Sequence, residues 1–400
     1  MNVFALAWSY LRARPLGTLL NVLLLALGVG TIGFVVIVNE QIADSLNRDA
    51  RGIDLVVGAK GSPMQLILAG VFQLDAPTGN IPLTAAQELA KDPQVRRVIP
   101  MSLGDSFRGF RIVGTAPDYL DLYGGKIAAG RLWTHRMEAV LGATVAAHSG
   151  LRVGATFVGS HGLAEGGPIH GDADYTVVGV LQPTGTVLDR LVLVNQESVW
   201  FVHEGPLSDP EERKVVEAER QVTMLLVQYA TPLAAVSLPR RINTQTNMQA
   251  ASPASESARL FHMIGVGADV IRAFGGVVLV TAALSLFVAL YHALNERAYD
   301  IAVLRTLGSR PGAIASMLMV EALMLAVLGG VLGLVLAHVL AAALSWWMTE
   351  QQSLRIDAWA FSASELWLLV PALLAAVLAA LLPSWRAART DISATLARRG

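Results

Sequence analysis

The segment NERAYDIAVLRTLGSRPG, Asn295 to Gly312, carries five formal charges and ends on Arg-Pro-Gly. On both sides of it the chain is apolar for about the width of a bilayer. It reads as a polar turn on one membrane face, joining two spans. Working outward from it divides the whole chain. Residues 1–15 form an N-terminal amphipathic helix, 16–38 a first span, and 39–269 an extracytoplasmic stalk with a bipartite α+β domain. Residues 270–294 form a second span, 295–312 the charged segment and 313–345 a third span, broken only by Glu321 and His338. A short outer loop (346–364), a fourth span (365–383) and a tail (384–400) complete it. The expected fold class is a membrane protein with four transmembrane helices and a large α+β extracytoplasmic domain inserted between helices 1 and 2.

Composition agrees. Of 400 residues 54% are hydrophobic and 15% charged, and mean hydropathy is +0.51, too apolar for an ordinary soluble protein. A net charge of −1 gives no basic field for nucleic acid. The absence of cysteine excludes disulfides, thiolate metal sites and cysteine nucleophiles. The first apolar run is about twice the length of a signal-peptide core and no small-residue cleavage site follows it, so it is expected to be a retained anchor.

Basic residues set the expected orientation. Arg12 and Arg14 precede span one, Arg297, Arg305 and Arg310 lie between spans two and three, and Arg386, Arg389, Arg398 and Arg399 follow span four. The loop between spans three and four offers Arg355 alone, against Glu350 and Asp357. Both termini and the opening segment are therefore expected in the cytoplasm, with Trp346, Trp347, Trp359 and Trp367 forming an outer aromatic belt. The first fourteen residues either lie in the interface, with Val3, Phe4, Ala7, Trp8 and Leu11 on one side, or simply begin span one.

Within the inserted segment, GFRIVG, YTVVGVL, RLVLVN and VTMLLVQYA read as strands. TAAQELA reads as a helix opened by a Thr84/Gln87 capping box, and TPLAAVSLPRRINTQ as a second helix. ASPASES, around Pro253, reads as a linker. GAKGSP at Gly58 to Pro63 lacks the spacing of a phosphate-binding loop, so ATP-driven chemistry must come from another chain. HGLAEGGPIHGDAD places His161, His170, Asp172 and Asp174 in one Gly-rich loop. They read either as divalent-metal ligands or as the polar residues of a surface loop. Glu321, an acid in an apolar span, marks either a functional site or a pair with a basic group near the interface. His338 and His292 read as packing residues. Gly329, Gly330 and Gly333 allow close helix approach, and Gly329 and Gly333 have the dimerisation spacing. No catalytic set stands out.

From Asn295 to Leu334 the sequence strongly resembles the FtsX-like permease domain of ABC transporters, the family of macrolide exporters, lipoprotein-releasing permeases and the cell-division permease. Glu296, Arg297, Asp300, Ile301, Leu304, Arg305, Leu307, Gly308, Glu321 and Gly329 to Gly333 stand where the family has an acid-rich turn, an Ile-Leu-Arg-x-Leu-Gly core and a Glu-containing glycine-rich span. PSWRAARTDISATL resembles the family's tail, and AAGRLW, AVLGATVAAHSGLRVGATF and YTVVGVL its extracytoplasmic domain. DLVVGAKGSPMQLILAGVFQLDAPTGNIP is a departure. The resemblance implies that the charged segment is a coupling helix docking on a separate cytoplasmic ABC ATPase subunit dimer, which holds the ATP and Mg; this chain binds neither. Periodicity places Ile301, Leu304 and Leu307 on one apolar side, with Glu296, Arg297, Asp300 and Arg305 as a polar rim. Its mixed charge argues against a helix that touches only lipid headgroups. The resemblance further implies a second permease copy (homo- or heterodimer), contact with membrane lipids and a periplasmic adaptor or substrate protein, in a bacterial inner membrane. The expected function is export or extraction of an amphiphilic lipoprotein, lipid, peptide or drug. The alternative is a non-transporting relay that regulates a periplasmic enzyme or sensor.

Overall fold

The computed structural model describes residues 3–162, 169–204, 209–350 and 357–389, with the side chains of 169–173, 210, 349–350 and 364 excepted. Two compact units share the chain. One comprises Met1–Ile42, Met263–Glu350 and Arg355–Gly400, the other Ala43–His262 with Gln351–Leu354. The helices are α1 (Val3–Ala13), α2 (Pro15–Asp49), α3 (Pro63–Gly70), α4 (Leu83–Ala90), α5 (Asp118–Leu122), α6 (Ala143–Ser149), α7 (Gln196–Glu204), α8 (Pro210–Ala218), α9 (Ala234–Gln245), α10 (Pro253–Glu296), α11 (Ala298–Thr306), α12 (Pro311–Glu350) and α13 (Leu369–Ala388). The strands are β1 (Leu55–Ala59), β2 (Ile81–Pro82), β3 (Val95–Phe107), β4 (Phe110–Thr115), β5 (Ile127–Gly130), β6 (Glu138–Leu141), β7 (Thr156–His161), β8 (Ile169–Leu181), β9 (Leu191–Asn195), β10 (Gln221–Val222), β11 (Met224–Tyr229) and β12 (Met248–Ala251).

The first unit is a helix bundle. Among the described residues four helices are long and apolar enough to cross a membrane: α2, α10, α12 and the helix of Glu365–Ala388 that contains α13. Their outward Leu and Val side chains, such as Leu23, Val280, Val331 and Leu378, are exposed in the isolated chain, as lipid-facing residues must be. Their inward faces make one core of Leu25, Val29, Leu286, Leu318, Ala326 and Ala376, among others. Pro15 begins α2, so α1 is a separate helix rather than the start of the first span. It buries Ala7 and Leu11, the latter in the bundle core, and leaves Phe4 and Trp8 exposed.

The GxxxG spacing in α12 is used within this chain. A Cβ on Gly329 would stand 2.5 Å from Leu25 Cβ, and one on Gly333 would stand 2.7 Å from Val29 Cβ and 2.9 Å from the Ala26 carbonyl. Both glycines are pressed against α2, so the close approach that this spacing allows is made here to a helix of the same chain. Gly330 faces α13 instead, where a Cβ would meet only the tip of Leu369, Cδ2, at 2.6 Å. Gly333→Ala should therefore lower stability by about 1–3 kcal/mol through overpacking, and Gly330→Ala by much less. Thermal unfolding in detergent checks this, and equal losses would contradict the assignment of faces.

The second unit is an α+β domain on a ten-stranded sheet, ordered β12-β1-β11-β3-β4-β9-β6-β8-β5, with β7 pairing β3 and β8. Most neighbours are antiparallel; β4 with β9 and β6 with β8 are parallel. Two cores line this one sheet. The first gathers Leu55, Val57, Leu225 and Val227 under Leu238 and Ile242 of α9. The second gathers Phe107, Phe110, Phe157, Tyr175, Val192 and Val194 with Val199 of α7. Thirteen-residue β3 contributes strand to both halves. The domain is thus bipartite in its cores while its sheet is continuous.

Two local expectations are corrected. Pro82 occupies the N-cap of α4 and no side chain caps it; because β2 ends at Pro82, the helix begins before Thr84, and the capping box does not form. ASPASES is no linker: Ala251 ends β12 and Pro253 is the first residue of α10. In the 54–82 departure, Lys60 donates to the carbonyls of Asn243, Thr246 and Met248, and Ser62 caps α3. GAKGSP thereby fastens α9 and starts a helix.

Candidate functional site: the corner between the second and third spans

The chain leaves α10 at Glu296 and re-enters a helix at Ala298, so Asn295 to Leu307 is not one helix as periodicity suggests. The break is at Arg297, whose φ of −94° and ψ of 10° depart from helical values. Its amide still bonds the Ala293 carbonyl, and its carbonyl accepts from the Ile301 amide. Arg297 is not on a polar rim; it turns into the bundle, only 7% exposed, and pairs with the equally buried Glu321 of α12 at 3.0 Å. Its guanidinium also lies 3.8 Å from the ring centroid of Tyr10 in α1. Beside it, Arg14 pairs with Glu296 at the surface. One arginine thus joins α1, the α10–α11 corner and α12.

Helix α11 ends by a defined stop. Gly308 takes φ +94°, and the Ser309 amide bonds back to the Leu304 carbonyl at 3.0 Å, closing a Schellman-type cap that a left-handed glycine permits. Pro311 then opens α12. The expected apolar side is divided. Ile301 is buried in the bundle core, Leu304 is half-buried and Leu307, just past the helix, is 78% exposed. Glu296, Tyr299 and Asp300 are exposed, whereas Arg305 is half-buried and donates to the Ala388 carbonyl. The outward surface is therefore Glu296, Tyr299, Asp300, Leu307 and Gly308. Next to it a cleft of about 320 Å³ is lined by Tyr291, Leu294, Asn295, Ala298, Trp385, Arg386 and Arg389. Arg386 donates to the Tyr291 hydroxyl at 2.7 Å, and Arg389 stacks on Trp385. Tyr10, Arg14 and the Trp385–Arg389 wall belong to this corner but were not legible in its own segment. The only signal for them was the amphipathic start of the chain and the basic tail.

His292, near the end of α10, is exposed rather than packed, whereas His338 and Glu365 are paired. His338 bonds the Ala358 carbonyl and Glu365, each at 2.8 Å. Nothing in these two pairs resembles a continuous polar path.

The four metal candidates part company. The side chains of His170 and Asp172 lie outside the described residues. Asp174 is an exposed residue of β8. His161, the last residue of β7, instead meets Asp105 of β3 and His203 of α7. Asp105 raises the His203 pKa, chiefly by hydrogen bonding and against the effect of burial. Asp105 and His203 escaped sequence reading because each sits far from the Gly-rich loop in the chain.

Four apolar helices, an inserted α+β domain and a short helix between the second and third spans define the architecture of a multi-span membrane protein. The comparisons with known proteins narrow this. Residues 18–258 match the MacB-like periplasmic core domain, and residues 272–392 match the FtsX-like permease C-terminal domain. The chain belongs to this MacB/FtsX-like family of ABC-transporter permeases. No curated protein matches the chain. Two solved structures are similar in part. The periplasmic region of MacB from Actinobacillus actinomycetemcomitans is 12% identical, with a TM-score of 0.36, over 54% of this chain and 95% of that one. The extracellular domain of the noncanonic ABC-type transporter YknZ from Gram-positive bacteria is 14% identical, with a TM-score of 0.31, over 50% of this chain and 99% of that one.

Proposed function

We propose that this chain is the permease subunit that couples a separate ABC ATPase, which holds the ATP and Mg, to movement of the α+β domain. The corner described above faces the cytoplasm in this reading and is where the ATPase docks. The observation that carries it is the division of labour in Ala298–Thr306 and its flanks. Ile301 and Arg297 anchor the segment inside the bundle, while Leu307, Tyr299 and Asp300 are left outside. An exposed leucine rimmed by mixed charge suits a protein groove better than an anionic lipid surface, which would select Lys and Arg. The α2 and α10 helices run unbroken from their spans into residues of the domain unit, which supports transmission of motion along rigid elements. The pairing of Arg297 with Glu321 and His338 with Glu365 supports work done outside the bilayer rather than through a polar channel. The substrate in this reading is amphiphilic, and the working unit is a dimer of permeases on a dimer of ATPases.

The test is co-purification of wild-type and Leu307→Asp chains with their ATPase from detergent-solubilised membranes. Leu307 is exposed, so the variant should insert and unfold as the wild type does while its ATPase yield falls at least about tenfold, the loss expected of a hot-spot residue. Normal recovery of the ATPase would overturn the docking assignment.

A further inference from the structure

Three side chains from three elements of the domain converge on one point. Asp105 comes from the end of β3, His161 from the end of β7 and His203 from the last turn of α7. Asp105 and His161 are partners across the β3–β7 ladder. On its other side β3 slips register against β4 between Leu103 and Ser106, and such a bulge re-aims the extra side chain. Helix α7 is started by Asn195, whose side-chain oxygen accepts from the Ser198 amide; two turns later it presents His203.

The geometry is a carboxylate floor under two imidazoles. The Asp105 side chain is only 3% exposed, whereas His161 and His203 are 43% and 39% exposed. His161 Nδ1 lies 3.1 Å from Asp105 Oδ1, and His203 Nε2 lies 3.4 Å from Asp105 Oδ2. All three donor atoms lie within 4.8 Å of one another. The two contacts end on different Asp105 oxygens, so an ion bound through one of them, whose donors stand roughly 3.3–3.6 Å apart at bond lengths of about 2.0–2.2 Å, would draw the three donors together from within 4.8 Å. Tyr175, fully buried, feels the Asp105 charge, and its hydroxyl has no hydrogen-bond partner among the described residues.

We propose that Asp105, His161 and His203 form a binding site for a divalent transition-metal ion of the zinc class, with three protein ligands and an open position toward solvent. Two imidazoles and one carboxylate suit zinc and its neighbours; calcium and magnesium select all-oxygen sets. The partial exposure of both rings gives the ion a way in. The site stands independently of the transport reading.

The test uses tag-free full-length protein in detergent, stripped with a chelator and titrated with Zn²⁺ against a chromogenic competitor. One ion per chain is expected. His161→Gln combined with His203→Gln should weaken binding at least about 100-fold, since losing even a partner outside the ligand shell typically costs 10–100-fold. His148→Gln, outside the cluster, should change nothing. Asp105→Asn, which keeps shape and volume, gives the same reading should the double variant fail to fold. Co²⁺ added to the stripped wild type should show visible ligand-field bands that these variants lose. Zinc binding that survives both sets of substitutions, or no saturable binding by the wild type, would overturn the site.

Discussion

Arg297→Ala should destabilise the bundle by about 3–5 kcal/mol, because it leaves Glu321 buried without its cation. Glu321→Ala should do comparable harm by stranding Arg297. The double substitution Arg297→Leu/Glu321→Leu should recover most of the loss, since a buried pair replaced by apolar side chains is often neutral or stabilising. Removing Tyr10 alone should matter less, about 1 kcal/mol for one cation–π contact. Thermal unfolding in detergent gives all four values. Were the double variant as unstable as the two singles combined, the pair would not be the unit that holds this corner. The same set separates stability from coupling. In the proposed function Arg297 also fixes where α10 breaks and α11 begins, so the apolar double variant should fold yet stimulate its ATPase poorly. Full stimulation would assign the pair to stability alone.

The spans were legible because twenty apolar residues without charge have one inexpensive environment. The strands were legible because β-branched runs such as RLVLVN and VTMLLVQYA are bounded by turn residues; they became β9 and β11. What sequence did not disclose was direction. Arg297, three residues beyond a span, has the look of a rim charge, and only the approach of Glu321 from α12 shows that it points inward. Gly329 and Gly333 announce a close contact but not its partner, which is α2 of the same chain. The periodicity that grouped Ile301 with Leu307 assumed a helix continuing past Thr306, and Gly308 ends it there. Asp105 and His203 are joined to His161 by a strand ladder and a helix crossing, contacts that no local pattern encodes. Local physics fixes which elements form; the faces they present depend on residues far away in the chain.

The second large effect concerns the far end of α2, beyond the charge-free run that ends at Val38. Asp49 is 1% exposed. Its carboxylate accepts from the Val187 amide at 2.6 Å and from Arg190 at 3.1 Å, and its carbonyl accepts from the Tyr123 hydroxyl. Burial nevertheless outweighs the attraction of Arg190, the Val187 hydrogen bond and Arg48, with Asp189 adding repulsion, and the pKa rises from 3.8 to about 6. Between those values the folded chain holds a proton that the unfolded chain has released. Stability from this group is therefore full below about pH 4 and is lost as pH rises through about 6, a change of about 3 kcal/mol. Asp49→Asn keeps an acceptor for the Val187 amide without the charge, so its domain should unfold with no such loss across pH 4 to 7. Glu138, held low mainly by its hydrogen bonds from Arg131, works in the opposite direction as pH falls, so the reading is the difference between wild type and variant at each pH. Asp49→Ala should be worse than either, by about 3–5 kcal/mol, because it strands both the amide and Arg190 in the interior. If the wild-type minus Asp49→Asn difference stays flat over this range, the Asp49 carboxyl is ionised throughout, and the fastening of α2 to the 187–190 turn is an ordinary ion pair.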